Sequence, residues 1–287
     1  MVFTRAGWPP ARTCNTNQED WHSMRSLAIV IALAALLSGA AQARSLDDII
    51  SAGELKVGVN PTYPPTAMYD DKNQLVGFDI DVATKLAAML GVKVSFVTVE
   101  SNTRVPFITS GRIDLVMGGM TRTPDRAKLI DFSLPIMTES LGALSVEGKP
   151  FKTLSDLNKP TVTLAEVRGT TPIPWIAANL PQAKVILLDN HPDVLRAVAQ
   201  GRADAVVDDL ASLGQIAKTV DAKWMPLEGH AKEVDWDCIG VARSDQSLKE
   251  WLNIAIYSLE QSDFVQQAYK KWYGFDMSAP IPFSPYF

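Results

Sequence analysis

One short pattern occurs twice in the chain, as Ser110-Gly-Arg-Ile-Asp-Leu-Val-Met117 and as Gln200-Gly-Arg-Ala-Asp-Ala-Val-Val207. In both copies, Gly-Arg-x-Asp separates the end of a helical pattern from a short apolar strand. Helix and strand signals alternate on either side of each copy, which is typical of α/β architecture. The two copies do not belong to a short repeat of fixed period, so a solenoid is not indicated. The pattern predicts two similar α/β lobes whose loops, at the carboxyl ends of the strands, face each other across a cleft.

The predicted elements follow from apolar periodicity and from glycine and proline breaks. The predicted helices cover residues 46–52, 79–90, 105–110, 172–179, 192–200, 209–219, 247–262 and 264–272. The predicted strands cover residues 55–59, 92–97, 113–117, 162–165, 185–188, 203–207 and 238–242.

Length and composition limit the function classes. The chain has 287 residues, 47% of them hydrophobic and 21% charged, which suits one large or two ordinary folded domains. A net charge of −5 and a pI of about 5.3 argue against a nucleic-acid partner. No internal stretch approaches the ~20 apolar residues that a membrane span needs.

The N-terminal region has the features of an export signal. Met24-Arg25 precedes the apolar run 27–37, and Ala41-Gln42-Ala43 fits a signal-peptidase site. We therefore predict a signal peptide at residues 24–43, a mature chain that starts near Arg44, and a periplasmic location. Since a signal peptide normally begins at its own Met, we interpret residues 1–23 as an over-extended N-terminus.

Cysteine and histidine are too sparse for a metal or cofactor site. Cys14 lies in the segment that we expect to be absent, so Cys238 is the one cysteine of the mature chain, and its apolar context predicts a packed core residue. His22, His191 and His230 are scattered along the sequence. We predict no metal, no cofactor and no catalytic residues.

Two stretches carry the groups that recognise a zwitterion. Between Met117 and Arg126, an apolar strand runs into two glycines and then into a helix start with Thr123 as a suitable N-cap. A helix N-terminus together with the Arg126 guanidinium attracts a carboxylate. The second stretch ends a strand in Asp208-Asp209, which could receive an ammonium group. The alternative for both is structural, since such an Arg is commonly solvated and such an Asp commonly caps a helix.

From residue 46 to residue 275 the chain resembles the family 3 solute-binding proteins, the bacterial amino-acid-binding proteins of ABC importers. The motifs that carry the resemblance are Gly58-Val-Asn-Pro-Thr-Tyr-Pro-Pro65, Gly77-Phe-Asp-Ile-Asp81, Ser110-Gly-Arg-Ile-Asp114, Thr121–Arg126, Asp131-Phe-Ser133, Gly169-Thr-Thr171, Gly201-Arg-Ala-Asp204 and Lys271-Trp-Tyr-Gly274.

The resemblance implies an α/β periplasmic-binding-protein type II fold, with two lobes joined by a hinge of two crossing strands, near Thr138–Leu141 and Val234–Cys238. Lobe 1 would hold residues 44–138 plus 239–287, and lobe 2 would hold residues 139–238. It also implies a monomer that delivers a free amino acid to the membrane permease of an ABC transporter.

The same resemblance implies a ligand site. Arg126, with Thr121 and Thr171, would bind the α-carboxylate, whereas Asp209 and the Gly119 carbonyl would receive the α-ammonium. The full set of implied ligand-binding residues is Asn60, Tyr63, Ser101, Arg104, Gly119, Met120, Thr121, Arg126, Gly169, Thr170, Thr171 and Asp209.

Two departures from the family pattern bear on the ligand. Receptors for cationic amino acids usually carry Asp where this chain has Asn60, so a cationic ligand is disfavoured. The segment Ser101-Asn-Thr-Arg104-Val-Pro106 is similar to the Asn-Arg-Ile-Pro-like segment of glutamate/aspartate receptors. Arg104 then either faces the ligand side chain or starts a helix and points outward. We expect a polar or acidic amino acid.

Two alternative functions share the same fold. Cyclohexadienyl dehydratases resemble this chain but place an acidic residue shortly after the position of Asp209, where this chain has Leu210-Ala211-Ser212. We expect Glu100 and Glu166 to lie near loops at the cleft, but neither has an evident basic partner. The second alternative is a ligand-sensing domain that serves a signalling receptor.

The signal-peptide interpretation predicts the mass of the exported protein. Cleavage near Ala43 removes every residue before Arg44, including Thr13 and Trp21. Intact-mass measurement of protein recovered from the periplasm should therefore give a chain that begins near Arg44. A mass that includes Thr13 or Trp21 would refute the interpretation.

Overall fold

Two five-stranded sheets form the framework of the computed structural model, which describes residues 43–229, 231, 234–277, 279 and 281. The helices are α1 (Leu46–Ala52), α2 (Phe78–Leu90), α3 (Arg104–Thr109), α4 (Pro124–Ala127), α5 (Pro172–Asn179), α6 (His191–Ala199), α7 (Leu210–Ile216), α8 (Gln246–Gln261) and α9 (Phe264–Tyr273). The strands are β1 (Glu54–Val59), β2 (Met68–Tyr69), β3 (Leu75–Val76), β4 (Lys93–Thr98), β5 (Leu115–Val116), β6 (Ile130–Glu139), β7 (Leu141–Val146), β8 (Thr163–Val167), β9 (Lys184–Leu188), β10 (Ala205–Asp209), β11 (Trp224–Pro226) and β12 (Asp235–Ala242). Short 3₁₀ turns occur at Leu154–Leu157 and Ala217–Thr219.

The strand orders show where the chain passes from one sheet to the other. The first sheet has the order β4-β1-β5-β12-β6, in which β4, β1 and β5 are parallel and β12 is antiparallel to both neighbours. The second sheet has the order β11-β7-β10-β8-β9, in which β10, β8 and β9 are parallel. The chain leaves the first sheet at the end of β6, enters the second through Ser140 and β7, and returns to the first in β12. These two crossings lie close to the lobe boundaries expected from the sequence, which remain a prediction.

The repeated Gly-Arg-x-Asp pattern performs the same structural task in each sheet. Asp114 accepts a hydrogen bond from the Lys56 backbone N–H at 2.7 Å and pairs with the Arg44 guanidinium. Asp204 accepts one from the Thr163 backbone N–H at 2.9 Å and pairs with Lys149 at 2.7 Å. In both copies the carboxylate satisfies an N–H at the start of a neighbouring parallel strand. The pattern therefore marks the start of a central strand in each lobe.

Each sheet buries its own apolar core. The first core packs β1, β5 and β12 against α1, α2, α8 and α9. The Lys271-Trp-Tyr-Gly274 motif anchors α9 there, because Lys271 Nζ and Trp272 Nε1 both donate to Asp81 on α2, at 2.6 and 2.7 Å. The second sheet buries one cluster on each of its faces, and Tyr63 from the first lobe joins one of them. Tyr63 therefore packs across the boundary between the lobes.

The sequence underestimated the strands that connect the sheets. The apolar patterns predicted no strand over 130–139 or 141–146, and the resemblance implied only a short crossing strand near 138–141, yet β6 and β7 are among the longest strands. β12 begins three residues before the start predicted from the apolar pattern, within the second implied crossing segment at 234–238. The predicted helix 209–219 is a helix from Leu210 to Ile216 followed by a 3₁₀ turn. The segment before the expected signal peptide, and that peptide except for Ala43, lie outside the described part of the chain. Among the described residues, no helix is both long and apolar enough to cross a membrane.

Gly77 is required where α2 begins. Its φ of 143° is unfavourable for any residue with a side chain, and a Cβ there would lie 2.3 Å from the Thr66 carbonyl oxygen. The close approach lets Phe78 N donate to Pro65 O at 3.0 Å and Asp79 N donate to Thr66 O at 2.9 Å. Gly77 thus fixes the start of the helix that carries Asp79.

Replacing Gly77 by Ala should destabilise the fold, because both the φ angle and the contact with backbone atoms are unfavourable. We expect a loss of about 1–3 kcal/mol in the free energy of unfolding, measured by urea denaturation. Gly214→Ala is the matched control, since that helical glycine has open space around its Cβ position. It should leave stability unchanged or raise it by up to about 1 kcal/mol. Equal effects of the two substitutions would contradict this account of Gly77.

Candidate functional site

A small polar cavity lies where the loops that follow the parallel strands of the two sheets meet. Its volume is about 20 Å³, room for about one water molecule. It is lined by Tyr63, Ser101, Arg104, Gly118, Gly119, Thr121, Arg126, Glu139, Thr170, Thr171, Pro172, His191 and Asp208. The predicted position of the cleft, at the carboxyl ends of the strands, is confirmed.

Arg126 connects the two sides of this cleft. Thr123 caps the start of α4 by accepting from the Arg126 N–H at 3.2 Å, as the sequence predicted. The guanidinium donates through Nη1 to Thr121 O at 2.7 Å and through Nη2 to Gly169 O, in the opposite lobe, at 3.0 Å. Burial lowers the pKa of Arg126, opposed by nearby acidic groups.

Arg104 points into the cleft, which decides between the two orientations left open by the sequence. The side chain is 2% exposed and donates from Nε to Ser101 O at 3.1 Å. Its Nη1 donates to Gly118 O and to Gly119 O, the latter at 2.6 Å. The Gly119 carbonyl, expected to receive an ammonium group, therefore accepts from Arg104 in this structure. Burial and the charge of Arg126 lower the pKa of Arg104 to about 10, so the side chain stays protonated at neutral pH.

The other wall of the cleft combines an aromatic ring with a histidine–carboxylate pair. The Tyr63 hydroxyl donates to Glu139 Oε1 at 2.9 Å, and its ring lies 4.4 Å from the His191 ring between centroids. His191 Nε2 lies 3.2 Å from Asp208 Oδ2. All four side chains are at least nine-tenths buried. Asp208 is thus the carboxylate that lobe 2 presents to the cavity.

The structure does not bring Asp209 into the cavity, contrary to the sequence prediction. Its Oδ1 accepts from the Ser212 N–H at 2.7 Å as the N-cap of α7, and its Oδ2 accepts from the Ser140 N–H at 3.0 Å. It lines a separate cavity with Thr138 and Ser140. The physical reason is strand alternation, because consecutive residues of β10 face opposite sides of the sheet. The burial of Asp209 raises its pKa to about 6.

Three further predicted ligand residues lie outside the cavity lining. Met120 is 1% exposed and packs in an apolar cluster with Ile113 and Ile130. Asn60 accepts from the Thr62 N–H at 3.1 Å and donates to Ser101 Oγ at 3.3 Å, so it holds the loop that contributes Ser101. Gly169 is not part of the lining either, but its carbonyl accepts from Arg126. The remaining predicted residues, Tyr63, Ser101, Arg104, Gly119, Thr121, Arg126, Thr170 and Thr171, line the cavity together.

Asp79 is a positioning residue that the sequence did not suggest. It is 2% exposed, and its Oδ2 accepts from the Gly118 N–H at 2.7 Å. Gly118 and Gly119 both have positive φ, at 85° and 62°, a conformation that two successive residues with side chains would adopt only with strain. This conformation directs both carbonyls to Arg104. Burial raises the pKa of Asp79 to about 8, opposed by the Gly118 bond.

Glu139 and Asp237 place two buried carboxyl groups at the floor of the cleft. They are 5% and 1% exposed and lie on β6 and β12. Burial raises the pKa of Glu139 well above its ordinary range, and the negative charges of Asp237 and of nearby acids add to this effect. Burial likewise raises the pKa of Asp237. Neither Asp237 oxygen has hydrogen-bond geometry with a described residue, although Glu139 and Thr121 lie close enough to influence its pKa.

Sequence reasoning missed Glu139, His191 and Asp208 as cleft residues. Strand alternation offers a signal for Asp208, since it shares a face with Val206, whereas Asp209 shares one with Val207. His191 follows a strand directly, a position at the cleft edge, but was set aside because no second histidine lay near it. No sequence signal singles out Glu139 as a cleft residue, although the crossing strand implied near 138–141 contains it. Among the described residues, no group of three His, Cys, Asp or Glu side chains could hold a metal ion.

With this geometry established, comparison with known proteins identifies the family. Residues 55–275 match the bacterial extracellular solute-binding proteins, family 3. The chain belongs to that family. The resemblance stated from the sequence motifs is confirmed, and so is the type II periplasmic-binding-protein fold, since the similar solved structures are of this class.

Several family members are similar over most of the chain. The L-cystine-binding protein TcyJ of Escherichia coli is 30% identical over 236 residues, covering 81% of this chain and 87% of that protein. The solute receptor for L-cysteine of Neisseria gonorrhoeae has a TM-score of 0.75 at 29% identity, covering 80% of this chain and 93% of that one. An ancestral amino acid-binding protein, described as a precursor of cyclohexadienyl dehydratase, has a TM-score of 0.74 at 34% identity, covering 79% and 99%. The cyclohexadienyl dehydratase of Pseudomonas aeruginosa is 24% identical, covering 87% of this chain and 95% of that protein. The similar proteins thus include an enzyme as well as amino-acid receptors of ABC transporters.

The raised pKa of Asp79 predicts how stability depends on pH. The ordinary pKa of 3.8 applies in the unfolded chain and about 8 in the folded one, so between these values the folded state binds more protons. Stability due to this group is therefore fully present at low pH and decreases as pH rises through that window, by up to about 1.4 kcal/mol per pH unit. Asp79→Asn does not titrate, so urea unfolding between about pH 5 and about pH 8 should show a shallower decline than in the wild type. If the stability of Asp79→Asn depends on pH as steeply as that of the exposed control Asp71→Asn, the raised pKa is not that of Asp79.

Proposed function

We propose that this protein is a periplasmic receptor that binds a free amino acid with a polar or acidic side chain and delivers it to an ABC-transporter permease. The observation that carries the proposal is the pair Arg104 and Arg126, two arginines that both face the cavity. Within the described part of the chain, no carboxylate lies within 4 Å of either guanidinium, and the hydrogen bonds that the two donate go to backbone carbonyls. A buried cation without a paired anion is unfavourable, so the site favours a ligand that supplies carboxylate oxygens.

Each charged group of an amino acid has a counterpart in this cleft. Arg126 lies at the start of α4, beside Thr121 and the lobe 2 residues Thr170 and Thr171, and is suited to the α-carboxylate. Asp208 lies on the lobe 2 side and is suited to the α-ammonium, the role that we first expected of Asp209. Arg104 is then available to bind the side chain of the ligand, since its Nη2 makes no hydrogen bond to a described residue. This arrangement supports a side chain that ends in a carboxylate or an amide.

The size of the cavity implies that binding involves movement of the lobes. At about 20 Å³ the cavity is too small for an amino acid. Contacts that cross the cleft, such as Arg126 to Gly169 and Tyr63 to His191, must therefore loosen for the ligand to enter. Closure around the ligand would exclude water and strengthen its charged hydrogen bonds, so the ligand would favour the closed state.

Similarity to relatives supports the amino-acid class without selecting one member. The names of the relatives include receptors for L-cystine, arginine and glutamine. The choice of a polar or acidic side chain depends on Arg104 and on Asn60 in place of an Asp. We also propose export by the signal peptide at 24–43 and a monomeric receptor, both as expected from the sequence.

A thermal-shift screen against the twenty amino acids and small dicarboxylates tests the proposal. Because a ligand that binds the native state alone raises the melting temperature, we expect a shift with a polar or acidic amino acid. No shift with any amino acid would overturn the substrate class.

The adjacent pair Asp208 and Asp209 supplies a matched test of the site. Micromolar binding corresponds to about −8 kcal/mol, and removing one partner of a buried charge pair costs roughly 3–5 kcal/mol. With the ligand found in the screen, Asp208→Asn and Arg126→Ala should weaken binding at least about a hundredfold by calorimetry. Asp209→Asn keeps an N-cap side chain and should bind nearly as the wild type does. Strong loss in Asp209→Asn with retention in Asp208→Asn would restore the original assignment and contradict this one.

A dehydratase is the second candidate, and one observation favours it. Glu139 faces the cavity, and burial raises its pKa well above the ordinary value, which favours the protonated form that a general acid needs. Glu166 does not reach the cavity, since it accepts from the Val207 N–H at 2.9 Å within lobe 2, and Glu100 is exposed. Incubation with prephenate or arogenate should give no aromatic product if the protein is a receptor. Catalytic turnover that Glu139→Gln abolishes would establish the enzyme instead.

A further inference from the structure

Two acidic residues at the crossing between the sheets are not used by the binding scheme above. Glu139 ends β6, where the chain leaves the first sheet, and Asp237 lies near the start of β12, where the chain returns. In the antiparallel register Glu139 pairs with Asp235, and Asp237 pairs with Met137. The three carboxyl groups therefore lie on one face of the same strand pair, with Glu139 and Asp237 as diagonal neighbours.

These carboxyl groups lack the compensation that buried anions need. Both Asp237 oxygens are buried without a hydrogen-bond partner among the described residues, and Glu139 has the Tyr63 hydroxyl as its donor. Two neighbouring buried carboxylates ionise together only at a large cost, which favours the retention of one proton by the pair.

Charged and titratable groups surround the pair from every neighbouring element. They are Tyr63 after β1, Asp79 on α2, Arg104 on α3, Arg126 on α4, Asp208 and Asp209 on β10, with His191 beside Asp208, Asp235 on β12, and Tyr269 and Tyr273 on α9. The carboxyl groups in this set outnumber the two arginines, so full ionisation of the pair would leave the cleft floor strongly negative.

We propose that Glu139 and Asp237 share one proton at the floor of the cleft, and that this proton determines whether Arg104 accepts an anionic or a neutral ligand side chain. The inference rests on the proposed function, since it concerns the same ligand. While the pair keeps its proton, the charge of Arg104 is available to a side-chain carboxylate. When the pair loses the proton, its second negative charge offsets Arg104 and repels that carboxylate, whereas a side-chain amide is little affected. Binding of the anionic ligand thus takes up a proton from solvent onto the pair, and binding of the amide does not.

Linkage gives the direction of the expected effect. The preference for L-glutamate over L-glutamine, or for L-aspartate over L-asparagine, should decrease as pH rises through the titration of the pair. One linked proton changes that preference by at most about tenfold per pH unit. The amide affinities themselves should vary much less over the same range.

Calorimetric titration of the four amino acids between about pH 5.5 and about pH 8.5 tests the proposal. Repeating each titration in buffers of different ionisation enthalpy gives the number of protons taken up. The wild type should take up more protons with the acid than with the amide. In Glu139→Gln and Asp237→Asn, which keep the shape of the side chain, the acid-to-amide preference should no longer depend on pH.

Asp245→Asn is the matched control, because Asp245 is a buried carboxyl with an unpartnered oxygen that caps α8 away from the cleft. Its acid-to-amide preference should follow that of the wild type. A pH-independent preference in the wild type, or an unchanged slope in both Glu139→Gln and Asp237→Asn, would overturn the proposal.

The free protein gives a second, ligand-independent measurement. In an NMR titration of carboxyl carbons, Glu139 and Asp237 should titrate above the ordinary carboxyl range, and substitution of one should lower the pKa of the other. If both carboxyl groups titrate in the ordinary range, the claim that they share a proton is wrong, even if amino acids bind. If none of the four amino acids binds, the claim about ligand charge fails together with the proposed function, and the titration still decides whether the two groups share a proton.

Discussion

Two guanidinium groups held in a cleft by carbonyl oxygens are the constraint on which the rest of the site depends. Arg104 and Arg126 together donate to carbonyls of Ser101, Gly118, Gly119, Thr121 and Gly169. A carbonyl dipole orients a cation without cancelling its charge, so the two arginines keep the ability to bind carboxylate groups. Much of the surrounding backbone serves this purpose. The Gly118-Gly119 turn has a conformation that directs two carbonyls to one side chain, and Asp79 holds that turn from α2.

The acidic residues of the cleft complete this electrostatic arrangement. Asp208 comes from the lobe opposite the two arginines, whereas Glu139 and Asp237 lie on the strands by which the chain crosses between sheets. The same pair of strands therefore links the lobes mechanically and sets the charge of the cleft floor. In a receptor that closes on its ligand, such a placement couples three quantities: the position of the lobes, the solvation of the carboxyl groups and the charge that the ligand meets.

Sequence patterns predicted the architecture well, because it depends on local rules. Two α/β lobes were predicted from the alternating helix and strand signals and from the repeated Gly-Arg-x-Asp. In both lobes the aspartate of this repeat accepts a backbone hydrogen bond from a neighbouring strand where a central strand begins. The motif around Arg126 was placed correctly because Thr123 and Pro124 are local helix-start signals. The long strands β6 and β12 were predicted only in part, because strands buried on both faces show no alternation of apolar and polar residues.

Side-chain direction was harder to predict than element position. Asp208 and Asp209 are neighbours in sequence, and a shift of one residue in a strand reverses which side chain faces the cleft. Met120 and Asn60 flank the site in sequence, but one packs in the core and the other holds a loop. Whether Arg104 pointed inward depended on the Gly118 and Gly119 carbonyls, which are distant from it in sequence.

A crystal structure of the protein grown with the amino acid that gives the largest thermal shift would locate each charged group of the ligand. We expect the α-carboxylate on the Arg126 guanidinium, the side-chain carboxylate or amide on Arg104, and the ammonium group on Asp208. A ligand whose ammonium lies against Asp209, or whose side chain makes no contact with Arg104, would contradict this expectation.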